Sequence, residues 1–433
     1  MKVKEVFLLF LIIMLGVGLY YAQNFWLSID GWPETLFYRG NSYSFEENQT
    51  LEAAPRLEII NRHGQVEVEG TDRENISLQV EKKIWQKDEE AARKVAEQIK
   101  ILTTREGDQL LISTNREAFR KKNFAVDLKF YVPRNLMVKV RNSYGTVKIV
   151  RVQQAEVDNQ HGQVDIFEIS GPVKVINSYE NLTLTDIGGQ SQVETKHSSL
   201  LLSRLNGPVY LNCAHEEVEL FDLRGPLNLE SRHSKIKAVK LSGPSKISGT
   251  YEPISLSQSG EATIKGHHSL IEIDNLQGKL EIETSYESVK LTHLEGDLNI
   301  KSQSTELTLD SIKSQNINIE SSYEEVKVLN FHGQLSLVAN HGDISLDPVD
   351  LDYPITVKTE YSNLKFYWPD EQKARFEAIS KGGNIYWQLP FPPEENQTNG
   401  SAIMKVFSQA QDRPEIKLST SYGHIRILKK DQR

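Results

Sequence analysis

The chain has 433 residues, which is longer than the usual single-core domain, so its length favours either two domains or an elongated repeat architecture. Its 50 Lys and Arg residues stand against 59 Asp and Glu residues, which gives a net charge of −9. A negatively charged surface repels phosphate backbones, so the composition argues against nucleic acid as a partner.

Residues 1–27 are predicted to form an N-terminal transmembrane helix. An apolar run of 17 residues, 6–22, follows two lysines and precedes aromatic residues that end at Trp26. As a helix rising about 1.5 Å per residue, this run spans about 25 Å, close to the hydrocarbon thickness of a bilayer. The lysines favour an N-in, C-out orientation. A cleaved signal peptide is the alternative, although cleavage after Ala22 would place Tyr20 at the −3 position, which is a poor fit.

A repeat of about 18 residues follows a predicted linker at residues 28–56 and occupies residues 57–433. Its marker is an aromatic or His residue in segments such as NSYGTVKI, NQHGQVDI and TSYESVKL. Between Tyr144 and His341 these markers, here called tip residues, lie 17, 18 or 19 positions apart. The sixteen tip positions are His63, Tyr144, His161, Tyr179, His197, His215, His233, Tyr251, His268, Tyr286, Ser304, Tyr323, His341, Tyr361, Gly382 and Tyr422.

Each tip lies between two strands whose side chains alternate between core and surface. The residue three positions after every tip is Val, Leu or Ile, and the residue five positions after it is also apolar. The residue four positions before every tip is apolar as well. Since one coil has too little apolar surface to fold alone, the coils must stack about 4.8 Å apart, which makes neighbouring strands parallel. The pattern predicts an all-β fold, a right-handed parallel β-solenoid of about 16 coils that forms a rod about 75 Å long.

Small residues mark two corners of each coil. A Gly recurs between the strands, as at Gly189, Gly207 and Gly225, and we expect it to adopt a positive φ there. The other corner holds a small polar residue two positions before the tip, such as Asn142, whose side chain is expected to hydrogen-bond from coil to coil. Cys213, the only cysteine, occupies this position, so we interpret it as a buried corner residue and exclude an intrachain disulfide.

Two stretches interrupt the repeat and are predicted to cap the ends of the solenoid. Residues 71–138 are expected to form a small α+β capping insertion, with three strands and a helix at about residues 88–100. Residues 388–433 form the predicted C-terminal cap region, which contains a proline-rich loop and the last coil. Covered ends are expected because an open solenoid end exposes unpaired strand edges.

The repeated G-x-V-x-V units behind an N-terminal apolar segment resemble the bacterial toast-rack-like β-solenoid domains of unknown function, which are regarded as candidate adhesins. The resemblance covers approximately residues 57–430 and rests on the repeat, not on catalytic signatures. It implies a solenoid at the cell surface or in the periplasm without established catalytic residues. The chain departs from a Gly-dominated version, since Glu287 follows Tyr286 and Ser198 follows His197.

His197, His215 and His233 are the candidate metal ligands, because they occupy the tips of three consecutive coils. Imidazoles about 5 Å apart that point outward could share a Zn or Cu ion. Tyr fills the same position in seven other coils and cannot serve that role in the same way. A stacked aromatic ladder explains both residue types, so we predict a ladder with no metal and no cofactor.

Enzymatic functions conflict with the short coils. A polysaccharide lyase or hydrolase needs clustered carboxylates in a cleft walled by long loops. Nearly every coil between Tyr144 and Asp347 is too short to supply such a loop. A hexapeptide-repeat acyltransferase needs an aliphatic residue at every sixth position, and the inward positions here follow another rhythm. Outward residues of the first strand alternate in sign, as expected for a solvated face.

The sequence therefore predicts a non-enzymatic, single-pass membrane-anchored module, structural or adhesive, with its solenoid in the periplasm or outside the cell. The expected partner is a glycan, another envelope protein or a second copy of the chain. The alternative is a sensory or regulatory component of an envelope-stress system, and a polysaccharide-active enzyme on a β-helix is a further, less favoured alternative.

Overall fold

The computed structural model describes residues 41–119, 122–369, 372, 374–393, 395–398, 401–406 and 413–430. Within these residues, 35 strands are hydrogen-bonded into one continuous sheet that winds as a parallel β-solenoid, and one short α-helix accompanies it. The all-β solenoid predicted from the repeat is therefore confirmed. Among the same residues no helix is long and apolar enough to cross a membrane. The predicted transmembrane helix at residues 1–27 lies outside the described residues.

The N-terminal part combines antiparallel and parallel strands. Its elements are β1 (Asn41–Leu51), β2 (Arg56–Ile60), β3 (Val66–Thr71), β4 (Ile76–Gln86), α1 (Glu89–Gln98), β5 (Ile101–Glu106), β6 (Gln109–Thr114), a 3-10 helix (Arg116–Phe119) and β7 (Phe124–Pro133). β1 falls within residues 28–56, which we expected to be a linker, and instead pairs antiparallel with β4 along its whole length. β4 pairs in turn with β7, also antiparallel.

α1 packs on this antiparallel sheet through one apolar face. Its N-cap is Asp88, whose side chain accepts a hydrogen bond from the Ala91 N–H, and its buried side chains include Val95. Lys82 on β4 lies under the other end of the helix, where its ammonium group donates to the Ile99 carbonyl at 2.8 Å. The same ammonium group lies 2.8 Å from a carboxylate oxygen of Glu47 on β1. Lys82 thus joins β1, β4 and the carbonyl end of α1, where a cation is favoured.

The solenoid proper has about 13 turns, with tips from Tyr144 to Tyr361, that follow one another in space in sequence order. Its strands are β8 (Met137–Tyr144), β9 (Val147–Val150), β10 (Gln154–His161), β11 (Val164–Ile169), β12 (Val173–Ser178), β13 (Leu182–Ile187), β14 (Ser191–Lys196), β15 (Leu200–Leu205), β16 (Val209–Leu223), β17 (Leu227–Leu241), β18 (Ser245–Thr250), β19 (Ile254–Ser259), β20 (Ala262–His267), β21 (Ile271–Gln277), β22 (Leu280–Ser285), β23 (Val289–Glu295), β24 (Leu298–Gln303), β25 (Leu307–Ser322), β26 (Val326–Asn340), β27 (Ile344–Pro348), β28 (Ile355–Glu360) and β29 (Leu364–Trp368).

The core is a set of aliphatic rows that run along the rod axis. Leu182 pairs with Leu200, and Leu200 pairs with Val218 in the next coil, so equivalent positions lie directly above one another. These three side chains are at most 2 % exposed. Fully burying one such side chain contributes about 1.5–3 kcal/mol to the free energy of folding, and every coil buries several of these side chains. The periodic apolar positions of the sequence therefore line one continuous interior.

The glycine corner differs from the expected one. Gly189, Gly207 and Gly225 do not have positive φ, so the expectation of left-handed backbone is wrong there, although Gly278 and Gly296 do adopt it. The reason for glycine is instead the closeness of the coils. A Cβ added to Gly207 would lie 2.3 Å from the carbonyl oxygen of Gly189 in the preceding coil.

The first coil lies inside the stack, although it comes first in the sequence. β2 lies between β6 and β8, and β3 lies between β7 and β9, all in parallel register. The strands β6 and β7 of the insertion therefore cover the edges that the first coil would otherwise expose.

The last coil is also inside the stack. The C-terminal strands are β30 (Arg375–Lys381), β31 (Ile385–Trp387), β32 (Glu395–Thr398), β33 (Ser401–Val406), β34 (Glu415–Ser421) and β35 (Ile425–Lys429). β34 lies between β28 and β30, and β35 lies between β29 and β31. The coil with its tip at Gly382 is thus outermost, and β33 runs antiparallel along β30. The spatial order of the coils therefore departs from the sequence order at both ends of the stack, and the strands of the first and last coils have neighbours on both of their edges.

Candidate functional site: the tip ladder

The tip residues form a continuous stack of aromatic rings along one edge of the solenoid. Neighbouring ring centroids lie 4.5–5.5 Å apart with interplanar angles of 2–11° from His63 to Tyr286. The ladder stops at Ser304 and resumes with four stacked rings from Tyr323 to Tyr422. Offset-stacked aromatic pairs contribute about 0.5–1.5 kcal/mol each beyond their buried area. The predicted aromatic ladder is thus present, with one interior gap.

Two kinds of turn place the tip rings. In coils from Tyr179 onward, the tip residue itself adopts the left-handed conformation, for example φ 72° at Tyr179 and 55° at His197. In the preceding coils the following glycine takes the positive φ, as Gly145 does at 128°. A Cβ on Gly145 would lie 2.2 Å from the Gly64 carbonyl oxygen. Glu or Ser can therefore follow the tip only where the tip supplies the left-handed residue.

Small polar side chains lie beneath the ladder, two positions before most of the tips. The Asn142 amide nitrogen donates to the Gly145 carbonyl at 2.9 Å in its own turn and to the Gly64 carbonyl at 3.3 Å in the neighbouring coil. Asn159 repeats both contacts, at 2.7 Å with Gly162 and at 3.4 Å with Gly145. For these asparagines the coil-to-coil hydrogen bonds therefore run from side chain to backbone. The expected bond between side chains is present where the Ser302 hydroxyl donates to the Ser321 hydroxyl oxygen at 3.0 Å.

Cys213 occupies the same row as these asparagines. Its side chain is 3 % exposed, and its sulfur lies 3.9 Å from the carbonyl oxygen of Glu230. Burial raises the pKa of the Cys213 thiol, which keeps it protonated where a free thiol would ionise. The residue packs as a corner side chain, in agreement with its interpretation from the sequence.

The three consecutive histidines are neighbours in the ladder. The His197 and His215 rings lie 4.7 Å apart, and the His215 and His233 rings lie 5.3 Å apart, with interplanar angles of 6° and 2°. The two rings of each pair are almost parallel, so the nitrogen lone pairs, which lie in the ring planes, do not converge on an ion between the coils. Among the described residues, no three His, Cys, Asp or Glu side chains are grouped to hold a metal ion. The histidines are brought together as stacked rungs.

A second row of left-handed residues, which the sequence pattern did not predict, lies seven positions after the tips from Tyr144 to Tyr323. It runs through polar and charged side chains at Arg151, Glu168, Asp186, Arg204, Asp222, Lys240, Gln258, Asn275, His293, Ser311 and Asn330. Some of them pair between coils: a guanidinium nitrogen of Arg204 lies 2.6 Å from Asp186, and Lys240 lies 3.2 Å from Asp222. The signal for this row is a polar residue that recurs between apolar positions five and eight residues after the tip.

The outward faces of the sheets are covered by ion pairs between neighbouring coils. Lys237 lies 3.4 Å from Glu219, and Lys265 lies 2.8 Å from Glu283. These side chains are about half exposed, so each pair contributes at most about 1 kcal/mol. Depressions in these faces are shallow, and one of about 330 Å³ at the N-terminal end is lined by residues such as Glu81. The faces are flat and solvated, as the alternating charges predict.

The family match is consistent with the stacked coils. The model of the family described as Toastrack DUF4097 matches residues 55–428. The chain belongs to this Toastrack family. No curated protein matches the chain significantly.

The solved structures that are similar to this Toastrack chain include three of low sequence identity. A candidate cell adhesion protein from Clostridium sporogenes ATCC 15579 is 8 % identical, with 90 % of this chain and 100 % of that chain covered and a TM-score of 0.20. A candidate adhesin from Parabacteroides distasonis ATCC 8503 is 10 % identical, with 62 % and 97 % covered and a TM-score of 0.27. A candidate lipid binding protein from the same organism is 12 % identical, with 62 % and 97 % covered and a TM-score of 0.24.

Proposed function

We propose that this Toastrack chain is a non-enzymatic binding module of the cell envelope, held at the membrane by residues 1–27 and exposing its solenoid outside the cytoplasm. Its partner is a linear glycan or another envelope protein that lies along the tip ladder. The apolar segment with its flanking lysines supports the anchor. The absence of long loops around Tyr144 to Asp347 supports a binding role over catalysis.

The observation that carries this proposal is the exposure of the ladder. Tyr179, Tyr251 and Tyr361 are each more than half exposed, although rings stack on both of their faces. Their ring faces are covered, so the ladder presents ring edges with hydroxyl and imidazole groups. From Tyr179 to Tyr286 these groups recur about every 5 Å over seven exposed rungs, a row of hydrogen-bonding positions about 30 Å long. Such a row suits an extended polymer better than a small molecule.

The binding role is tested with the full-length chain in detergent and immobilised envelope glycans. Replacing Tyr179, Tyr251 and Tyr286 together by Phe removes three hydroxyl groups and keeps the stack. We expect at least tenfold weaker retention on the glycan. Tyr210→Phe is the matched control, because Tyr210 is 46 % exposed on a sheet face away from the ladder. Equal retention of both variants would contradict binding along the ladder.

The anchor and the absence of catalysis need separate measurements. Full-length chain should sediment with membranes and resist extraction by carbonate, whereas a chain without residues 1–27 should be released. Recovery of the intact chain in the soluble fraction would contradict the anchor. Turnover of a polysaccharide by the purified protein, lost on replacing one surface residue, would overturn the non-enzymatic role. Stoichiometric crosslinking to one membrane protein, without glycan retention, would favour the regulatory alternative.

A further inference from the structure

We propose that the gap in the tip ladder at Ser304 is a binding slot for a guanidinium group, supplied by an arginine side chain of a partner protein. The inference rests on the proposed binding role and names the chemistry of one contact. Ser304 is the one tip inside the ladder that carries no ring, because the other tip without a ring, Gly382, belongs to the outermost coil.

The backbone continues through the gap without interruption. Ser304 has φ 50°, in the same left-handed region as Tyr286 at 78° and Tyr323 at 76°. The Tyr286 N–H donates to the Gln303 carbonyl at 3.0 Å, and the Ser304 N–H donates to the Ser322 carbonyl at 2.8 Å. The three coils therefore keep the ordinary spacing. The backbones of the two tyrosines are separated by two coil spacings, which is about 9.6 Å.

Among the described residues, each of these tyrosines stacks on one ring only. Tyr286 stacks on His268 at 4.5 Å, and Tyr323 stacks on His341 at 5.3 Å. Among the described residues the two tyrosines do not stack on each other, so one face of each ring has no ring partner on the side of the coil that carries Ser304. A planar group halfway between them would lie about 4.8 Å from each centroid. That is the separation of the natural rungs, and it lies within the roughly 6 Å at which a cation interacts with an aromatic face.

The charge around the gap selects a cation. Glu287 and Glu324 directly follow the two tyrosines, and both side chains are exposed. Within the described residues neither carboxylate forms an ion pair. Lys327 pairs instead with two other carboxylates, at 2.6 Å from Glu325 and 3.9 Å from Glu306. Two carboxylates without a counter-ion therefore flank the gap, one in each adjoining coil. They attract a positively charged group and repel a negatively charged one such as a nucleotide, whose base could also stack on the rings.

A guanidinium group meets both requirements. It is planar, remains charged at any physiological pH, is weakly hydrated and stacks on aromatic faces. A lysine ammonium group carries the charge but has no flat face to fill the missing rung. Arginine is therefore favoured over lysine by the rings and over an uncharged aromatic side chain by the carboxylates.

The slot is tested with the full-length chain in detergent, labelled with 3-fluorotyrosine and titrated with N-acetyl-argininamide. The fluorine signals of Tyr286 and Tyr323, assigned by replacing each with Phe, should shift together. N-acetyl-lysinamide is the matched probe, and its dissociation constant should be at least tenfold higher. Equal binding of the two probes, or no shift of these two signals, would overturn the proposal. The glycan-retention experiment is independent of this titration, so loss of the slot would leave the binding role intact.

Three variants sharpen the test. Ser304→Tyr supplies the missing rung and should abolish the shifts while leaving the circular dichroism unchanged. Glu287→Gln with Glu324→Gln should weaken arginine binding severalfold without altering the stack. His268→Ser opens a second gap between Tyr251 and Tyr286 and should create a second site for the probe. Arginine binding that persists in Ser304→Tyr would place the site elsewhere and refute the slot.

Discussion

Replacing Gly207 by Ala tests whether close contact between coils, and not backbone conformation, requires glycine at the corner. The new Cβ would lie 2.3 Å from the Gly189 carbonyl oxygen and 2.4 Å from its carbonyl carbon. Non-bonded heavy atoms are comfortable at about 3.5 Å, so the two coils must separate locally by about 1 Å. Hydrogen bonds beside the corner would stretch, including the one from the Ser191 N–H to the Pro208 carbonyl at 2.8 Å.

The expected loss of stability follows from these contacts. Overpacking costs about 1–3 kcal/mol, and each weakened hydrogen bond adds up to about 1 kcal/mol. We therefore expect Gly207→Ala to lower the free energy of unfolding by about 3 kcal/mol. Urea unfolding followed by circular dichroism measures the loss. Hydrogen exchange should locate it in the coils next to Gly207, because repeat proteins transmit strain mainly to their nearest neighbours.

Gly260→Ala is the matched control for this prediction. Gly260 occupies the same corner, also without a left-handed φ, but the nearest atom to its added Cβ is the Ser242 carbonyl oxygen at 3.2 Å. Ala restricts the unfolded chain and adds about 0.4–1 kcal/mol of stability, which offsets the mild contact. If both variants unfolded within about 0.5 kcal/mol of each other, close approach of the coils would not explain this glycine.

Three other side chains give further tests. His215→Ala removes ring contacts at 4.7 and 5.3 Å and should cost about 1–3 kcal/mol, whereas His215→Tyr should keep most of it; urea midpoints compare the two. A hydrogen bond from Lys82 lowers the pKa of Glu47, so the pair should stabilise the folded chain fully above about pH 4 and should lose this contribution as the pH falls through the lowered pKa. Hydrogen exchange of β1 measures the loss. Lys82→Met should abolish this pH dependence. Burial raises the pKa of Cys213, so a thiol reagent at about pH 8 should label it only after unfolding, and rapid native labelling would contradict its burial.

The interior of the coils could be predicted from the sequence because it depends on local periodicity. A strand with alternating burial must place apolar side chains at every second position, and Val164 with Ile166 follows this rule. The tip ladder could also be predicted, since His161 and Tyr179 recur at one coil spacing and share flat rings. Both features need only the repeat and the approximate distance between coils.

The glycine corner shows where local reasoning fails. Glycine permits both a positive φ and close contact, and the sequence does not separate the two reasons. Only the distance from Gly207 to the neighbouring coil decides for contact. The second row of left-handed residues, which includes Asp186 and Arg204, could not be predicted, because polar side chains at a surface corner carry no strong conformational signal.

The sequence by itself determined the class of fold, the coil length, the aliphatic core and the aromatic edge of this protein, since all of these follow from side-chain spacing. The tertiary structure alone decided the order of the terminal coils. Backbone hydrogen bonds join β28 to β34 and β2 to β6, and such bonds carry little residue identity. Ile355 on β28 pairs with Ile416 on β34, although β29 to β33 lie between these strands in the sequence. Their register is the same as that of two successive coils, so the apolar pattern does not specify which coil stacks on which.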